Sequence, residues 1–162
     1  MKSSPVVFEV KEQELKRQRG LVFGTLQLRI STDSLPEKPR AEPVAVLFAT
    51  MMQASLAVLE GQSKQSAVAF EKNLMALLLQ RGEGENLEVH AFALARKGDP
   101  ARQLGSWVIH GRDWMQALMN GADRVMRGCI YHEWQGEDVD IMISLAIAAK
   151  QWLDTGKSDV QA

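Results

Sequence analysis

The chain has a single cysteine, Cys129, among 162 residues, so no disulfide can form within it. Long hydrophobic runs are missing too. The uncharged apolar stretch over residues 44–59 still includes Thr50, Gln53 and Ser55. A membrane-spanning helix needs about 20 apolar residues, so this stretch reads as a buried helix and no membrane partner is expected. Near the start, the run from Pro5 to Phe8 is too short for the core of a signal peptide, and Glu9 ends it. Strong net charge is absent as well. The 19 Lys and Arg against 20 Asp and Glu give −1, which argues against a general nucleic-acid coat. Nor can a nucleophile–base pair, a carboxylate pair with a cleft or a phosphate loop be picked out. A cytoplasmic protein that is not an enzyme, with no cofactor and no metal, is the expectation.

What is present is unevenly distributed. Residues 1–40 hold eight Lys and Arg against five acids, and residues 41–162 hold eleven against fifteen. A basic front end on an acidic body suits a protein that touches phosphate at one place. Residues 1–19 contain a short apolar run, 6–10, and then a charged stretch that reads as a basic arm. From residue 21 to 31 apolar and polar residues alternate. Val22, Gly24, Leu26, Leu28 and Ile30 fall on one face of a strand, and Thr25, Gln27 and Arg29 on the other. A lone strand leaves its backbone groups unpaired, and a symmetry mate is one way to satisfy them.

A connector with Pro36 and Pro39 follows, and Pro43 stands where a helix would begin. The spacing of Val44, Leu47, Phe48, Met51, Met52, Leu56 and Leu59 predicts a helix to residue 60 that is apolar on almost every side. A dimer would cover such a helix readily. Gly61 stops it, and a second helix is expected over 63–80, burying Ala67, Phe70, Leu74, Leu77 and Leu78. Strands are expected at 87–96 and 107–110 with a turn at 97–100, then helices at 113–127, weakened by Gly121, and 137–153. The second of these should bury Ile141, Leu145, Ala148, Ala149 and Trp152. Residues 156–162 read as a polar tail.

Strand, helix, Gly turn and a helix opening Ser63-Lys64-Gln65-Ser66-Ala67 follow in an order that resembles the ribbon-helix-helix DNA-binding proteins over residues 20–81. That family enters its first helix within a few residues of the strand, whereas this chain has the Pro-rich connector 32–42 there. The resemblance implies an α+β, mostly helical fold. In it, residues 20–81 form a ribbon-helix-helix-like unit for dimerisation and DNA binding, and 87–155 an appended α/β lobe. It further implies a homodimer on double-stranded DNA. Thr25, Gln27 and Arg29 would read base edges in the major groove. Ser63 and Lys64 at a helix N-terminus would hold a phosphate, and Lys16, Arg17 and Arg19 of the arm others. The whole-chain layout, with Ala122-Asp123-Arg124-Val125-Met126-Arg127 and then His132, looks like the AcaB-type transcriptional regulators of conjugative plasmids and integrative elements. That resemblance implies control of transfer genes.

Plainer readings stand beside these. The face bearing Thr25 could simply meet water, with its strand paired to residues 6–10, and the apolar helix 44–60 could bind a partner helix. The chain would then be a non-enzymatic protein–protein interaction or accessory factor of a mobile element. Cys129 and His132 have a spacing that metal ligands use, but two ligands do not make a zinc site and both read as structural. Trp107, Trp114, Trp134 and Trp152 all fall in the second half. They read as core, or as a ligand pocket in the minority case.

Overall fold

The alternation beginning at residue 21 forms a strand, and that strand is paired within the chain. The computed structural model describes residues 3–95, 98 and 101–156. The expected turn at 97–100, apart from Gly98, and the tail after Gly156 lie outside the described residues. Strand β3 (Leu21–Ile30) pairs antiparallel with β1 (Val6–Val10), β2 (Lys16–Gln18), β4 (Asp33–Leu35) and β5 (Ala41–Glu42). Its alternation is expressed as burial, with Val22, Gly24, Leu26, Leu28 and Ile30 inside. Arg19 (φ 52°) and Gly20 (φ 77°) make the two-residue turn from β2 to β3, both in the left-handed region that a tight hairpin requires.

Both β1 and β4 pair with Leu28, Arg29 and Ile30, so they occupy opposite edges of β3. No edge remains there for a symmetry mate. The ribbon between two copies is therefore excluded, because the backbone groups it would use are already bonded inside one chain.

Helix α1 (Val44–Leu59) covers the whole uncharged run. Twelve of its sixteen residues are buried, and only a narrow stripe of Val46, Thr50 and Gln53 is exposed. The cover comes from the chain itself. Strands β3, β6 and β7 and helices α2 and α3 pack around it, so burying this helix needs no dimer.

The helix expected at 63–80 does not form. In its place β6 (Gln65–Phe70) and β7 (Met75–Arg81) make a hairpin that continues as an antiparallel meander through β8 (Asn86–Ala93) and β9 (Arg102–His110). Burial follows a period of two, with Val68, Phe70, Met75, Leu77 and Leu79 inside, whereas Leu74 is exposed at the turn and Leu78 only half-buried. The chain is thus 39% helix and 35% strand, with three helices and two antiparallel sheets among the described residues. It is α+β but not mostly helical, and it contains no ribbon-helix-helix unit, because the second helix of that unit is two strands of a sheet.

Helices α2 (Gly111–Tyr131) and α3 (Glu137–Thr155) close the fold against α1. Gly121 has a packing role in α2. A Cβ at this position would lie 2.7 Å from Phe48 Cζ and 3.0 Å from Phe8 Cβ, so the bare backbone is what lets α2 approach α1 and β1. The buried apolar residues of both sheets and all three helices form one cluster. No helix among the described residues is long and apolar enough to cross a membrane.

Candidate functional site

Thr25, Gln27 and Arg29 do share the outer face of β3, and each is held there by a neighbour in the same chain. Thr25 Oγ1 donates to Glu14 Oε2 at 3.0 Å. Gln27 Nε2 donates to the carbonyls of Pro36 (3.0 Å) and Glu37 (3.4 Å). Arg29 Nε lies 2.9 Å from Glu9 Oε2, with the arginine side chain 55% exposed. Two of the three side chains are held by carboxylates, which would face the phosphates of any duplex laid on this sheet. The face is also wide. Strands lie about 4.8 Å apart, so β1, β3 and β4 already span roughly 10 Å between outer backbones. A major groove is about 12 Å wide and admits a two-stranded ribbon with its side chains, not three strands.

The residues assigned to phosphate separate into two places. Lys16 and Arg17 on β2 and Arg19 at its turn are all exposed. Lys16 is in register with Phe23, and the adjoining Gly24 lies against Val44 at the N-terminal end of α1. Ser63 and Lys64 follow the C-terminal end of α1 and lead into β6. About 24 Å of helix separates the two groups, at 1.5 Å per residue. No helix begins at Ser63, so the free amides expected there for an anion are absent.

The buried polar groups act as ties. Glu42 is fully buried, and its Oε1 accepts hydrogen bonds from the backbone N–H groups of Lys72 (2.9 Å) and Asn73 (3.2 Å) and from Asn73 Nδ2 (3.1 Å). This fastens the first sheet to the β6–β7 turn. Its Oε2 has no partner among the described residues, and burial pushes the carboxyl above its ordinary pKa. Asp138, near the start of α3, accepts the backbone N–H of Val22 at 3.0 Å. The Cys129 thiol is pushed up by burial and then by the charge of Asp138, the reverse of what a nucleophilic cysteine needs. Among the described residues no three His, Cys, Asp or Glu side chains converge as metal ligands. His132 instead stacks on Trp134 with ring centroids 4.4 Å apart.

The outer side of the last two helices is different in kind. Of the ten large apolar side chains left exposed among the described residues, five are here: Ile130, Tyr131, Ile141, Ile143 and Ile147. Ile130 is 76% and Ile147 55% exposed. A groove of about 730 Å³ between α2 and α3 opens beside them, lined by Met126, Cys129, Ile130, Trp134, Val139 and Ile143. Helix α3 is apolar on two sides. Val139, Met142, Leu145, Ala149 and Trp152 face the core, and the isoleucines face outward. Ile141, expected on the buried side, is exposed. The sequence signal that could have revealed the outer face was the placement of Ile143 and Ile147 outside the core-facing spacing. No family model, curated protein or solved structure matches this chain. Its function must therefore be argued from these surfaces.

Proposed function

We propose that this chain is a non-enzymatic interaction protein that engages an amphipathic helix of another polypeptide through the outer face of α2 and α3. The observation that carries this reading is the exposed pair Ile143 and Ile147 on a helix whose opposite side is already buried in the core. Apolar patches rimmed by charge mark docking surfaces more often than chance exposure does. Here Glu137, Asp140, Lys150 and Asp154 rim the isoleucines. Fully covering an exposed isoleucine is worth about 1.5–3 kcal/mol, and Ile143 and Ile147, already partly buried, would contribute a fraction of that.

The test is selection of helical peptides displayed on the full chain. Amphipathic helices should be enriched, and Ile147→Asp should weaken their binding by about tenfold or more, since the change removes an apolar contact and sets an unpaired carboxylate in the interface. No enrichment by a monomeric chain, or binding indifferent to that change, would sink the reading.

A second reading keeps double-stranded DNA as the partner of a transcriptional regulator. What supports it is the β2–β3 hairpin, where residues 16–20 are all exposed and carry Lys16, Arg17 and Arg19. Contacts of this kind bind phosphate and are salt-dependent. Changing Lys16→Gln and Arg19→Gln together should reduce the slope of log affinity against log salt by about 1.8. An unchanged slope would remove the hairpin from that role. Failure to enrich any duplex from a random pool would remove sequence-specific reading.

A further inference from the structure

We infer that the helix received by this face is α3 of a second copy of the chain, lying antiparallel across a two-fold axis. This deepens the interaction reading and rests on it. The argument starts from spacing. Asp140, Ile143, Ile147 and Lys150 are all exposed on α3, separated by three, four and three residues, the step of a helix–helix seam. An antiparallel copy centred at the level of Leu145 sets Ile143 opposite Ile147 and Asp140 opposite Lys150. Two-fold symmetry repeats each pairing, giving two apolar contacts and two ion pairs from four residues. Such self-complementarity is what an isologous interface requires.

Charge also fixes the direction. A parallel copy would set Asp140 against Asp140 and Lys150 against Lys150. In the antiparallel arrangement Asp140 and Lys150 each meet their opposite, and the two helix dipoles oppose each other. Neither Asp140 nor Lys150 has an ion-pair partner among the described residues. Ser144, small and exposed, flanks the seam beside Ile147 and leaves room for axes 8–10 Å apart. Asp140 and Ile143 also line the groove that Ile130 borders, so Ile147 of the second copy would be set at its mouth. An anionic membrane surface fits less well. The face carries Glu137, Asp140 and Asp154 against the single base Lys150.

Sedimentation equilibrium of the full chain should give a concentration-dependent dimer of the 18.0 kDa protomer. Asp140→Lys and Lys150→Asp should each weaken it by about tenfold or more, because two favourable pairs become two like-charge pairs. Mixing the two variants in equal amounts should restore the dimer, now as a heterodimer with one ion pair reversed and the other as in the wild type. Both positions are exposed, and circular dichroism should confirm that each variant stays folded. A wild-type monomer at all concentrations, a dimer indifferent to both reversals, or a mixture that fails to reassociate would each overturn self-pairing. If the wild type is monomeric yet captures helical peptides in an Ile147-dependent way, self-pairing fails alone. If it neither pairs nor captures peptides, the interaction reading falls with it.

Discussion

Truncating Trp114 to alanine is expected to cost about 3–5 kcal/mol of folding stability. Trp114 is fully buried on α2 and meets Phe8 of β1 edge to face, ring centroids 5.0 Å apart. Its Nε1 donates to Ser55 Oγ on α1 at 2.8 Å, and Ser55 passes its own hydrogen to the Met51 carbonyl at 2.6 Å. One side chain thus fills the junction of α1, α2 and the first sheet. Alanine leaves a cavity walled by three elements that cannot all collapse, and the lost volume dominates, since Ser55 keeps its bond to Met51. Against a typical domain stability of about 5–15 kcal/mol the variant should be marginal. Urea unfolding would read the loss as a lower midpoint at unchanged slope. Trp114→Phe should cost far less, keeping most of the volume and giving up one hydrogen bond. Equal losses for the two variants would mean that the hydrogen bond, not the packing, governs the junction.

Glu42→Ala should cost about 1–3 kcal/mol, because the N–H groups of Lys72 and Asn73 lose their acceptor at a half-covered turn. The carboxyl adds a dependence on pH. Burial raises its pKa above the ordinary 4.5, and the hydrogen bonds from Lys72 and Asn73 offset only part of that. The folded state therefore holds this proton more tightly than the unfolded chain does. The resulting contribution is fully present below about 4.5 and is lost as pH rises through the folded value. Glu42→Gln removes the titration while keeping an oxygen acceptor. Unfolding midpoints measured from acid to neutral pH should show the difference between this variant and wild type moving in the variant's favour as pH rises. A constant difference would show that the carboxyl titrates alike in both states.

Much of this architecture could be read from residues alone, wherever periodicity and punctuation agreed. Strand β3 alternates cleanly, α1 starts at Pro43 and stops at Gly61, and α2 and α3 carry helical spacing over four or more turns. Residues 63–80 misled because Leu77, Leu78 and Leu79 are consecutive and fit either period, and because the β6–β7 turn contains no glycine. That turn uses Leu74 in the left-handed region (φ 47°), which no turn preference selects. Pairing with β8 decided the outcome, and it is a tertiary effect. The shared face of Thr25, Gln27 and Arg29 was legible for the same reason as β3. Their partners were not, since Glu14, Glu9 and the Pro36 carbonyl reach them only through the folding of the sheet. On α3 the isoleucines were visible, but the number of sides the core would cover was not.

The enclosure of α1 has a consequence for the birth of the molecule. Its uncharged helix leaves the ribosome long before α3, which covers much of it, has been made. At about 5–20 residues per second, several seconds separate the two. During that interval the nascent chain carries a sixteen-residue apolar segment with the first sheet, a growing meander and then α2 to shield it. Synthesis itself is when the apolar surface of this protein is least covered.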